Sequence, residues 1–217
     1  MGVIILKNIY FGKTVLITGH SGFKGSWLTL WLSNLGAKVV GVSIDIPSQP
    51  SNYNASFIKN EVEDYFFDIR DLNSLKKLIN KIKPNFIFHL AAQALVKSAY
   101  ENPIDTFSTN ALGSINVLEA IRTLNQKVVV IMITSDKVYD NKEWEWGYRE
   151  TDQIGGKDPY SASKGMAEIA IRSYIESFYN QNDKIRIGIV RAGNVIGGGD
   201  WAKNRIVPDC ISAWSLG

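Results

Sequence analysis

The stretch Thr18-Gly19-His20-Ser21-Gly22-Phe23-Lys24-Gly25 narrows the fold of this chain more than any other. Three glycines at G-x-x-G-x-x-G spacing follow a short β-branched run and open an apolar helical pattern. Gly19 permits a tight turn, Gly22 lets a pyrophosphate approach the backbone, and Gly25 lets the helix pack closely on the sheet. Phe23 and Lys24 then stand at a helix start, where unpaired N–H groups and the positive end of the dipole face an anion. The spacing is not the G-x-G-x-x-G of ordinary dehydrogenases, and three glycines alone also fit a plain turn. Their place between a strand and a helix is what points to phosphate. His20, inside the turn, is read either as touching the pyrophosphate or as solvated.

Short apolar runs at 14–18, 39–44, 64–67, 86–90, 128–134 and 185–190 read as strands. Most are continuous rather than alternating, as in strands of a parallel sheet buried on both faces. Helical patterns fall between them, at 27–35, 72–82, 104–124 and 161–179, and Trp27 and Trp31 share a face expected to be core. Alternating strands and helices give an α/β, Rossmann-like doubly wound parallel sheet flanked by helices. The expected division is a dinucleotide-binding domain over 1–190 and the start of a smaller substrate region over 191–217, as though the chain stopped early. Residues 141–159 break the rhythm and read as a long functional loop.

Composition excludes other classes. The net charge of +3 and the absence of a basic run give no footprint for nucleic acid, and the six tryptophans are not interleaved with basic residues. The apolar run at 3–6 is too short for a membrane span or a signal peptide, so no membrane partner is expected. Cys210 is the single cysteine, so no internal disulfide or thiolate cluster can form, and no metal site is expected. These features fit a reduced, cytoplasmic protein.

Asp45 closes the second strand. A carboxylate there can accept hydrogen bonds from an adenosine ribose and would repel a 2′-phosphate, which favours NAD over NADP; a capping role is the alternative. Asp68 and Ile69, after the third strand, could meet the adenine, or Asp68 could be a solvated loop acid. Downstream, Tyr160 and Lys164 lie four apart, one helical turn. A neighbouring ammonium and the nicotinamide charge would lower the phenol's pKa enough for base catalysis. At the end of the fifth strand, Thr134 could bond a substrate hydroxyl, and Asp136 with Lys137 could supply an acid and a base. His89 reads as a satisfied core histidine.

These residues, with Asn110 and the segments 89–93 and 191–194, resemble the extended short-chain dehydrogenase/reductase family over nearly the whole chain. The resemblance implies that Ala91, Ala92 and Gln93 pass beside the cofactor, that Asn110 supports the active-site helix, and that Tyr160 with Lys164 drives hydride transfer. Within the family, 19–28, 134–137 and 191–209 look most like the branch of nucleotide-sugar 4,6-dehydratases that takes CDP-glucose. That likeness implies substrate contacts from Gln93, Thr134, Arg191, Asn194, Trp201 and Arg205. It also implies a homodimer through a four-helix interface formed by 104–124 and 161–179. A nucleotide-sugar 4-epimerase would use the same turn and Tyr–Lys pair without needing Asp136 and Lys137. A non-catalytic NAD-binding module is the other alternative. From the piece in hand, NAD binding with little turnover is expected.

Overall fold

The computed structural model describes residues 8–181 and 183–216; the run at 3–6 lies outside them. All six expected strands form, as β1 (Thr14–Thr18), β2 (Lys38–Ser43), β3 (Val62–Phe66), β4 (Phe86–His89), β5 (Val128–Ile133) and β6 (Ile185–Val190). They make one sheet in the order β3-β2-β1-β4-β5-β6, with every pairing parallel. The order reverses between β1 and β4, where Thr18 stands beside His89. In an open sheet of this kind the ligand crevice opens beyond the carboxyl ends of the strands at that reversal.

The helices are α1 (Phe23–Asn34), α2 (Asn52–Ala55), α3 (Leu72–Ile82), α4 (Val96–Glu101), α5 (Pro103–Phe107), α6 (Gly113–Ile121), α7 (Pro159–Tyr174) and α8 (Ile206–Ser215). Asp71 caps α3 by accepting from the N–H groups of Asn73 and Ser74, and Leu75, Leu78 and Ile79 bury its apolar stripe. Asp158 caps α7 by accepting from Ser161 N–H at 3.0 Å, with Pro159 in the first helical position, so this helix begins ahead of the expected residue 161. The pattern at 104–124 is not one helix: a π-turn, Ser108–Leu112, separates α5 from α6. A second π-turn, Ile175–Tyr179, ends α7.

One face of the sheet packs Leu16, Val40, Ile87, Val130 and Met132 against α3, α6 and α7. The other packs Val15, Ile17 and Val39 against Leu32 and Leu35 at the end of α1. Over β5 and β6 that second face leaves Val129 and Val190 exposed, and no residue of α8 is buried. Trp27 and Trp31 correct the expectation of core: they are 49% and 52% exposed, on the outward side of α1. Among the described residues no helix is long and apolar enough to cross a membrane.

Residues 141–158 form an ordered loop. Tyr139 bridges to Ile154, and its ring begins an aromatic run with Tyr148 at 4.8 Å, Trp144 at 5.2 Å from Tyr148, and Trp146 at 5.2 Å from Trp144.

Candidate active site

The phosphate turn is held from both sides. Gly19 adopts φ +76° and donates its N–H to Val42 C=O at 2.6 Å. A Cβ at Gly19 would lie 2.7 Å from the Ala91 nitrogen, so a side chain there would push β1 and the loop after β4 apart. A Cβ at Gly25 would lie 2.0 Å from the Gly19 carbonyl oxygen. Gly25 therefore lets α1 press on the turn itself, rather than on the sheet as its spacing suggested. Gly22 caps α1 through its backbone alone, and no acidic residue stands in the first turn of the helix. The positive end of α1 is thus left unneutralised by the chain, which suits an anion.

His20 neither reaches the crevice nor stands in water. Its ring is fully buried against β2, where a Cβ at Gly41 would lie 2.3 Å from ring carbons. Nε2 donates to Asp64 at 2.7 Å, because an ionised carboxylate can only accept. Nδ1 then accepts from the Ser43 hydroxyl at 2.9 Å, and that hydroxyl accepts the Ser21 N–H at 3.2 Å. The Tyr53 hydroxyl donates to the other oxygen of Asp64. Burial holds the His20 pKa below its ordinary value despite Asp64. The residue ties the turn to β2 and β3.

Asp45 is exposed just past β2, and its carbonyl accepts from the Ser21 hydroxyl at 2.5 Å, which brings it beside the turn. Asp68 is not a solvated acid. It accepts from Arg70 N–H at 2.8 Å and from the guanidinium, which also pairs with Asp105. Those bonds hold its carboxyl below the usual range against burial. Ile69 turns its side chain into the core against Gly113, leaving only its backbone for the crevice.

Ala91 lies against the turn, its N–H donating to the Thr18 hydroxyl at 3.3 Å and its backbone closing on Gly19. The Gln93 side chain is hydrogen-bonded within the loop after β4 and to α5. Its amide nitrogen donates to Leu95 C=O and the Thr106 hydroxyl, and its amide oxygen accepts Leu95 N–H. Asn110 sits in the first π-turn, fully buried. Its side chain accepts Gln93 N–H at 2.8 Å and donates to Gln93 C=O at 3.0 Å and the Ser163 hydroxyl at 2.8 Å. Ser163 donates in turn to Tyr160 C=O at 2.7 Å, so Asn110 fixes the start of α7 rather than a ligand. His89 is satisfied, with Thr18 at 2.7 Å on Nδ1 and Ser114 at 3.0 Å on Nε2, and burial pushes its pKa down to about 3.

At the end of β5 the residue that meets Tyr160 is Ser135, not Thr134. Ser135 stands beside the Tyr160 phenol, and its hydroxyl donates to Asp136 at 3.0 Å and accepts the Lys137 N–H at 3.2 Å. Thr134 points under α7 and donates to Glu168 at 3.1 Å. Side chains alternate along a strand, so Thr134 follows the buried Met132 and Ser135 takes the other side. Burial raises the Tyr160 pKa, Ser135 and Arg205 lower it, and Asp136 and Asp158 add to the rise. The net shift is upward, opposite to the expectation from Lys164. Lys164 is itself buried, and lost solvation followed by the Lys24 charge brings it down to about 8. Asp136 and Lys137 are exposed on the single 3₁₀ turn Asp136–Val138.

Arg191, expected to meet the substrate, is held from two sides, with its Nη1 left without a hydrogen-bond partner. It pairs with Glu168, 1% exposed, and stacks on Tyr139 at 4.4 Å. Burial pushes the Glu168 carboxyl up, but Arg191, Arg172 and Thr134 together hold it below its usual range. Glu168, which sequence reasoning missed, is one turn beyond Lys164 on the same helix. Asn194 and Trp201 remain exposed in the loop after β6. Arg205 stands 3.5 Å from Asp200, and its charge reaches both Tyr160 and Lys24. Lys24 keeps part of its surface in solvent, yet lost solvation and Arg205 hold its ammonium below the ordinary range, with Asp200 opposing. Lys24, Lys164, Arg205 and the start of α1 give the crevice a positive lining that fits a dinucleotide's diphosphate.

Residues 16–187 match the model of the family described as GDP-mannose 4,6 dehydratase. The chain is 47% identical to a CDP-glucose 4,6-dehydratase of Salmonella typhimurium, over 97% of this chain and 60% of that protein. The solved epimerase Mth375 of Methanothermobacter thermautotrophicus superposes with a TM-score of 0.80 at 26% identity, over 99% of this chain and 61% of that one. MoeE5, solved with UDP-glucose and NAD, gives 0.75 at 25% identity, over 92% of this chain and 60% of that one. The chain thus spans about three fifths of each. With four-fifths of its residues under one family model and the glycine turn, Ser135 and the Tyr160–Lys164 pair converging on one crevice, this chain belongs to the GDP-mannose 4,6-dehydratase family of the extended short-chain dehydrogenases/reductases.

Proposed function

We propose that this chain is the cofactor-binding and catalytic part of an NAD-dependent dehydratase that converts CDP-glucose to CDP-4-keto-6-deoxyglucose, in the cytoplasm. Residues 1–190 hold the cofactor and 191–217 begin the substrate region. The observation that carries this is that Ser135 and Asp136 lie near Tyr160 at the strand ends, with Lys137 next along the same short turn. One site then offers groups for two successive proton transfers. The 47% identity to a CDP-glucose 4,6-dehydratase and the NAD held by MoeE5 support the same reading.

NAD bound along the turn would accept the hydride of sugar C4 and return it to C6. The α1 start, Lys24 and the Gly19–Ala91 approach hold the diphosphate, and Asp45 the adenosine ribose. Ser135 orients the sugar 4-hydroxyl, and Tyr160 takes its proton. Lys164, at the edge of neutrality, holds the nicotinamide ribose and favours the phenolate. The 4-ketone acidifies C5; Lys137 removes that proton and Asp136 protonates the departing 6-hydroxyl, and once hydride has returned to C6, Lys137, exchanged with solvent, returns a proton to C5.

Ile104, Leu112, Met166 and Ile169 are exposed on α5, the first π-turn and α7. Such an apolar face supports a homodimer through these helices.

The test is mass spectrometry of CDP-glucose and dTDP-glucose incubated with the whole gene product and NAD in deuterated water. Loss of one water with deuterium at C5 is expected, with CDP preferred. A mass-conserved, galactose-configured product would replace this reading with the epimerase.

A further inference from the structure

Residues 194–201 leave β6 and run back across the start of α1, and three successive glycines meet three side chains there. A Cβ at Gly197 would lie 3.3 Å from Phe23 Cζ. The Gly198 carbonyl accepts the Trp27 indole N–H at 2.9 Å. Gly199 adopts φ +83°, and a Cβ there would lie 2.6 Å from the Asn52 amide oxygen. Asp200, next along, faces Arg205 and tempers the Lys24 ammonium. Phe23, Lys24 and Trp27 belong to the first turns of α1, directly after the phosphate turn, and Asn52 begins α2.

Trp27 explains the arrangement best. Its indole is half exposed, so core packing does not fix its orientation; the bond to Gly198 does. Trp31, one turn further on the same helix and equally exposed, has an indole with no hydrogen bond among those found for the described residues. A bare triglycine carries much backbone freedom, and ordering it against a helix requires such anchors.

We propose that residues 194–201 form a strap over the dinucleotide, latched by Trp27, which makes Trp27 a positioning residue that sets how long the cofactor stays bound. This rests on the NAD reading given above. A cycle that returns its hydride leaves the cofactor unchanged, and release in mid-cycle would strand a ketosugar. Slow release is therefore worth building.

The probe is NADH bound to the protein and chased with excess NAD, with nicotinamide fluorescence giving the release rate. Trp27→Phe keeps the ring and loses the N–H. It is expected to release NADH about fivefold faster, the effect of one net hydrogen bond, with association rate and thermal midpoint unchanged. Gly199→Ala, which strains φ and displaces Asn52, is expected to speed release by the other anchor, and Trp31→Phe to match the unaltered protein. Unchanged release in both Trp27→Phe and Gly199→Ala overturns the strap. So does faster release that only tracks a lowered midpoint. If the unaltered protein fails to bind NADH at all, the cofactor reading falls first and the strap falls with it.

Discussion

Thr134 and Ser135 are neighbours in sequence with opposite duties. Ser135→Ala removes the hydroxyl that touches Tyr160 and is expected to lower kcat of the whole enzyme by about a hundredfold, with little change in the urea midpoint. Thr134→Val leaves Glu168 one donor short, so about 1–2 kcal/mol of stability should be lost, with kcat changed only a few-fold. Equal loss of kcat in the two variants would overturn the assignment. The segment 134–137 was legible as a strand end opening on the crevice, but which hydroxyl faces the phenol depends on strand parity, which Met132 in the core settles. Lys164 makes the second prediction. Its folded pKa is about 8 against 10.5 ordinarily, because burial disfavours the ammonium. Below about 8 it is charged in both states and the fold carries the cost. Between the two values the unfolded chain binds the extra proton, so stability rises with pH across that window. Lys164→Met is expected to flatten this rise and to gain about 2–3 kcal/mol at neutral pH, measured by urea unfolding from pH 7 to 10.5. A rise that persists in the variant would assign it to another group.

At the scale of elements, the strands and the parallel, doubly wound sheet were legible because continuous apolar runs and their helical spacers leave few alternatives. The π-turn at Ser108–Leu112 was not. The Ser114 hydroxyl takes the Asn110 carbonyl at 2.6 Å, and Gly113 receives the Ile69 side chain. The first is a side-chain bond to the backbone four residues back and the second a tertiary contact; a helical period records neither, and π-turns of this kind gather at functional sites. The link between turn and sheet was equally hidden. His20 has an unremarkable place in the motif, and its partners Gly41, Ser43, Tyr53 and Asp64 come from β2, α2 and β3. Gly41→Ala would drive a methyl into the His20 ring and is expected to cost about 2 kcal/mol. Adding His20→Ala, which empties that space, should recover part of it. Simple additivity in a double-mutant cycle by urea unfolding would show that the ring and the strand are not coupled.

For the molecule as a whole, the reversal between β1 and β4 brings the turn, the 90–93 loop, the 134–137 segment and the strap to one edge of one sheet. The outward surface of α5 and α7 is apolar, with Ile104, Met166 and Ile169 exposed. Ile169, 59% exposed, lies near its middle. Ile169→Glu is expected to convert a dimer to a monomer in sedimentation velocity, and a protein already monomeric would remove the dimer. The imidazole at 20 and the missing side chain at 41 occupy one space, so two positions 21 apart in the chain constrain each other: a side chain at 41 fits without strain only where the residue at 20 is small.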